Sequence, residues 1–176
     1  MSRYDDIGAF AAGGSLHVVI EASRGSSCKF KHDPRTDLFF FHRPLPKGVT
    51  YPFDWGFVPG TCGEDGDPLD ALVVHTGACP VGSVMRCRPL GALGVRQSEA
   101  GKALRNDRYI MRPVERAALD IDRLTPHLKR ELEQFFLAAV LNTGKRLRYL
   151  GWRGAAAAAT ELKRAAARHE QRRRER

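Results

Sequence analysis

Short strand-like runs alternate with turn residues from residue 16 to residue 111. They are Leu16 to Ala22, Cys28 to His32, Leu38 to Phe41, Val49 to Val58, Ala71 to Val74, Val84 to Val95 and Tyr109 to Met111. Most carry β-branched or aromatic residues, and their spacing predicts an antiparallel barrel or sandwich. The pattern changes at Thr125-Pro126, where a hydroxyl N-cap is followed by proline at the first helical position. Leu128, Leu132, Phe135, Phe136 and Ala139 then recur three and four residues apart, predicting a helix with one apolar stripe against the sheet and a stop at Gly144. Gly151-Trp152 separates this from a second, Ala-rich helix over Ala155 to about Arg168. Its helix propensity is high, but it has little large apolar surface and is expected to dock weakly or fray. Residues 1–16 have no sustained period and read as a loose arm, and residues 169–176 as a basic tail, a solvated helix end.

One stretch breaks the alternation of strand and turn. Glu64-Asp65-Gly66-Asp67-Pro68-Leu69-Asp70 runs directly into the buried-strand pattern Ala71-Leu72-Val73-Val74. In an extended chain Asp65 and Asp67 face the same side, while Gly66 and Pro68 permit a turn that swings Asp70 back towards them. Three carboxylates in one space repel unless a cation lies among them, and oxygen-only donors suit Mg²⁺ or Mn²⁺. The same spacing also fits a solvated acidic turn. An EF-hand is excluded, since counting from Asp65 its glycine and glutamate positions hold Asp70 and Thr76.

The chain has 176 residues, a length that suits one domain with a core of its own. Its start lacks the order of a signal peptide and no apolar run approaches a membrane span, which places the protein in the cytoplasm. Cys28, Cys62, Cys79 and Cys87 form no Cys-x-x-Cys pair, so they read as free thiols. The formal charge of +9 points to anionic partners, although the C-terminal segment carries much of it. The histidines, His17, His32, His42, His75, His127 and His169, are scattered and do not recur at metal-ligand spacing; His42 and His75, nearest the acidic stretch in sequence, read as ordinary surface or strand-end residues.

Taken together, Val18-Val19-Ile20-Glu21, Lys29, Arg43, Tyr51-Pro52, Gly56, Asp65-Gly66-Asp67-Pro68-Leu69-Asp70 and Gly82-Ser83-Val84-Met85-Arg86-Cys87-Arg88-Pro89 resemble the soluble family I inorganic pyrophosphatases. The resemblance is close from about residue 17 to 95 and weaker through the helices. It implies a mainly β fold, an OB-like closed antiparallel barrel with two C-terminal helices, that hydrolyses pyrophosphate with Mg²⁺ in a homo-oligomer. It also implies roles by position. Asp65, Asp70 and Glu21 would hold metal, and Asp67 would orient or deprotonate a water. Lys29, Arg43 and Tyr51 would bind phosphate oxygens.

The chain departs from the family pattern at several points. Lys31 stands where the family has an acidic residue, and Trp55 replaces an aromatic hydroxyl. Glu99 and Asp107 are the candidates to rebuild a loop carboxylate cluster, with Arg108 in place of a lysine. Ala139-Val140 stands where the family's helix has a phosphate-gripping Tyr-Lys pair, and Lys145, Arg146 or Arg148 would have to reach in instead. These losses motivate an alternative, a family member that binds metal and phosphate or another small polyphosphate with little turnover. A nucleic-acid module is the third reading, which the acidic mouth argues against.

Overall fold

The computed structural model describes residues 3–115 and 121–175; the ends of the expected arm and tail, residues 1, 2 and 176, lie outside them. The strands are β1 (Leu16–Ala22), β2 (Cys28–Asp33), β3 (Leu38–Pro44), β4 (Asp54–Val58), β5 (Leu69–Val73), β6 (Val84–Glu99), β7 (Lys102–Arg105), β8 (Arg108–Pro113) and β9 (Arg146–Gly154). Three α-helices accompany them: α1 (Arg3–Ile7), α2 (Pro126–Ala139) and α3 (Ala155–Arg174).

Pairing runs β1-β4-β5-β8-β6 and returns from β6 to β1, so five strands form a ring, with β7 and β9 added to the long β6. The ring is OB-like as expected, but it is not wholly antiparallel. β5 and β8 pair in parallel, Leu72 opposite Ile110, because the chain between them passes through β6 and β7. β2 and β3 pair only with each other, as a separate hairpin.

Successive residues on a strand face opposite sides, and here both sides are buried. Val18, Ile20, Ala71, Val73, Tyr109 and Met111 share one cluster with Ala158 and Leu162 of α3. Leu72, Val74 and Ile110 share the other with Leu128, Leu132, Phe135 and Phe136 of α2. This is why residues 71–74 are uniformly apolar. At Gly56 the strands leave no room for a side chain, since a Cβ there would lie 1.8 Å from the Val19 carbonyl oxygen on β1.

The start of α2 follows its sequence signal, with the Thr125 hydroxyl accepting from the Leu128 amide at 3.2 Å. Thr125→Ala should cost about 1 kcal/mol of unfolding free energy, read by urea denaturation, with Thr125→Ser close to wild type. The helix stops at Ala139, short of the expected Gly144. The Thr143 hydroxyl donates to the Val140 carbonyl at 2.6 Å, and Asn142 adopts φ 63°, turning the chain early.

Three other expectations need correction. The N-terminal arm is held: the Tyr4 ring packs edge-on against His32, Phe39 and Phe57, and its hydroxyl donates to the Gly82 carbonyl at 3.1 Å. The Ala-rich α3 docks rather than frays, because small side chains let it approach β6 closely and bury Ala158, Leu162, Ala165 and Ala166. It continues as helix through most of the expected tail, and the Arg168 guanidinium donates to the Cys62 carbonyl at 3.0 Å. The segment 146–154 is strand β9, in which Leu147 and Tyr149 alternate with Arg146 and Arg148; Gly151 pairs with Gly94 beside a bulge at Leu150, so the strand is not broken there.

Candidate active site

The acidic stretch forms a pinned turn. Gly66, at φ 87°, lets the chain double back, and the Gly63 amide bonds the Asp67 carbonyl at 2.8 Å. The Asp67 amide donates to Asp65 Oδ1 at 3.1 Å, an Asx-type bond. Thr61 braces both ends, accepting from the Leu69 amide at 3.0 Å and donating to the Val58 carbonyl at 2.6 Å. Asp70 therefore starts β5 on the same side as Asp65 and Asp67, and all three line one cleft with Glu21 from the end of β1.

That cleft has a volume of about 580 Å³. Around the four carboxylates stand Lys29 and Lys31 from β2, Arg43 from β3, Arg108 from β8 and Lys145 from the turn before β9. Glu99 is also on the wall, 3.4 Å from Lys145. Tyr51 is buried in an adjoining space of about 50 Å³ shared with Lys29, Arg43, Trp55 and Arg108.

Asp107 is not brought to the cleft. It is buried and accepts from the Val95 amide at 2.9 Å, from Arg105 at 2.9 Å and from Arg153 at 2.6 Å. Its charge is spent holding β8 to β6 and β9. The polar groups that do reach the wall from this loop are carboxamides, Gln97 and Asn106. Both accept from the Arg108 guanidinium, which also pairs with Asp70 and lies 5.5 Å over the Trp55 ring. Nothing in local spacing distinguishes Asn106 from Asp107, because only the turn into β8 decides which side chain faces inward. Lys145 is brought in by the turn after α2, a placement that its sequence position permits but does not require.

The chain's own cations neutralise two of the carboxylates. Lys31 Nζ lies 2.9 Å from Asp67 Oδ2, and Arg108 pairs with Asp70. Burial lowers the Lys31 ammonium, but the hydrogen bond and charge of Asp67 outweigh it and leave the pKa above its ordinary value. Arg43 donates to the Ala139 carbonyl at 3.0 Å, where the end of α2 favours a cation. Lys29 is pulled below its ordinary value, chiefly by burial. Burial also raises Tyr51 and Asp65.

Glu21 is raised to about 7, mainly by burial and further by Asp70, against the opposing hydrogen bond from the His32 amide at 3.0 Å. Because the folded value lies above the ordinary 4.5, the neutral form's stability is fully present below about 4.5 and lost as pH rises through about 7. Glu21→Gln should therefore match wild type at pH 4. At pH 8, in chelator, it should be more stable by on the order of 1–3 kcal/mol, measured by thermal unfolding.

A polar cleft open to solvent, with clustered carboxylates on one wall and lysines and arginines on the others, fits a multiply charged anion held together with cations. Comparisons with known proteins give the same direction. The family model described as inorganic pyrophosphatase matches residues 18–170. An inorganic pyrophosphatase of Aquifex pyrophilus is 35% identical over 151 residues, covering 84% of this chain and 85% of that protein. The crystal structure of inorganic pyrophosphatase from Thermus thermophilus superposes with a TM-score of 0.80 at 35% identity, covering 90% of this chain and 93% of that one. A Helicobacter pylori inorganic pyrophosphatase structure gives 0.79 at 31%, covering 89% and 94%. With the ring of strands, the acidic turn and the family match all agreeing, this chain belongs to the inorganic pyrophosphatase family.

Proposed function

We infer that this chain hydrolyses inorganic pyrophosphate to two phosphates in the cleft between the acidic turn and the β2–β3 hairpin. The observation that carries the reading is the convergence of Glu21, Asp65, Asp67 and Asp70 with Lys29, Lys31, Arg43, Arg108 and Lys145 around one space. The donors facing that space fit a divalent cation: Glu21, Asp65, Asp67 and Asp70 present only carboxylate oxygens to it. Asp65, Asp70 and Glu21 would hold it, with Mg²⁺ the favoured ion and Mn²⁺ the substitute. When bound, such an ion neutralises phosphate oxygens and acidifies a water.

The remaining work falls to the chain. Lys29, Arg43 and Lys145 hold phosphate oxygens, with the Tyr51 hydroxyl as a further donor. The Trp55 indole N–H, buried with no protein partner among the described residues, is a second. Asp67 holds the attacking water and accepts its proton as the water oxygen bonds to one phosphorus and the bridging P–O bond breaks. Lys31 covers Asp67 in this structure, yet both side chains are more than half exposed, so the ammonium is free to swing onto the incoming anion. Arg108, fixed on three sides, keeps Asp70 in place.

The test is phosphate release from pyrophosphate by the purified chain with Mg²⁺. Release that needs both is expected; pyrophosphate binding without release would leave the binding-only alternative standing in its place. Self-association is proposed on the exposed Leu38, Phe40 and Phe41 of β3 and would show in sedimentation. No helix among the described residues is long and apolar enough to cross a membrane. The cytoplasm is the proposed location, where free thiols stay reduced.

A further inference from the structure

We propose that Asp54, His75 and Cys79 form a second metal site, for a divalent transition-metal ion of the zinc class, at the end of the β4–β5 hairpin away from the acidic turn. Asp54 pairs with Val73, whereas Asp70 pairs with Phe57 at the other end of the same hairpin. One carboxylate oxygen, one imidazole nitrogen and one thiol sulfur lie within 4.8 Å of one another. Ligand atoms around a four-coordinate zinc stand ~3.5 Å apart, so the 2.7 Å contact of His75 Nε2 with Asp54 Oδ2 opens by under about an ångström as the thiol sulfur draws in, which completes three corners and leaves a fourth for water. The mixed N, O and S set favours zinc or cobalt over the hard ions suited to the all-oxygen cleft.

The donors are already positioned. Asp54 is fully buried, its Oδ1 held by the Arg24 amide at 2.7 Å and its Oδ2 by the Cys79 amide at 2.9 Å. His75 Nε2 lies 2.7 Å from the same Oδ2 and its Nδ1 takes the Gly77 amide at 3.3 Å. The loop carrying both residues is tied back by Ser23 to the Cys79 carbonyl at 2.6 Å and by Arg24 to the Thr76 carbonyl at 2.8 Å. Such outer bonds orient ligands before an ion arrives. Without the ion, burial and then the Asp54 charge keep the thiol protonated.

Binding moves protons in a defined way. The thiol proton of Cys79 leaves to solvent as the sulfur binds the ion, so affinity rises with pH while the thiol is protonated.

Co²⁺ added to the intact chain reports this directly, because a thiolate ligand gives a near-ultraviolet charge-transfer band that the all-oxygen cleft cannot produce. A band saturating at one equivalent, displaced by Zn²⁺, absent in Cys79→Ser and weakened about tenfold or more in His75→Gln, is the expected result. Cys79→Ser should retain wild-type unfolding and phosphate release. No band in the wild-type chain, a band that survives Cys79→Ser, or an affinity indifferent to His75→Gln overturns the proposal.

Discussion

Asp67→Asn should lower phosphate release from pyrophosphate by about 10²–10⁴-fold, a barrier increase of ~3–5 kcal/mol, while leaving unfolding unchanged. The asparagine keeps the shape of the aspartate and the amide that bonds Asp65, but it cannot accept a proton from water. The side chain is 59% exposed and its partner, the Lys31 ammonium, is also more than half exposed, so the fold depends little on its charge. Steady-state rates at saturating Mg²⁺ separate this from weakened binding, because loss of a base lowers kcat with little change in KM. A rate within tenfold of wild type would mean that Asp67 is not the proton acceptor and that the roles assigned around the turn are wrong.

Gly56→Ala should destabilise the fold by about 4 kcal/mol or more, with a fall in Tm of roughly 8–16 °C. The added carbon would sit 1.8 Å from the Val19 carbonyl oxygen and 2.8 Å from its carbon, and both are backbone atoms that no rotamer change can move. Relief requires β1 and β4 to separate where Gly56 pairs with Ile20. Those strands carry Glu21 and lead into the acidic turn, so activity should fall with stability. Circular dichroism melting measures the effect, and a Tm within about 2 °C of wild type would show that the strands separate at little cost.

The acidic turn was legible because its chemistry lies within seven consecutive residues, and a glycine and a proline there leave few ways to fold. The same holds for α2, whose cap, proline and apolar stripe are local, and for the doubly buried run at residues 71–74. Asp107 illustrates the opposite case. As a carboxylate in the right region it looks like a metal ligand, yet Arg105 and Arg153 claim it, and Arg153 comes from 46 residues away. The strength of α3's docking was hidden for a similar reason: Ala158 and Ala165 contribute through how closely they allow backbones to meet, which composition does not express.

By itself, the sequence determined the short strands, the capped helix α2 and the gathering of Asp65, Asp67 and Asp70, because each depends on periodicity or contacts between near neighbours; the family and the barrel were read from the resemblance that its motifs carry. Only the tertiary structure decided that Lys31 and Arg108 sit on two of those carboxylates, that Gln97 and Asn106 rather than Asp107 face the cleft, and that Lys145 arrives from beyond α2. Those outcomes depend on strand register and on turns between distant segments, where a one-residue difference sends a side chain to the opposite face.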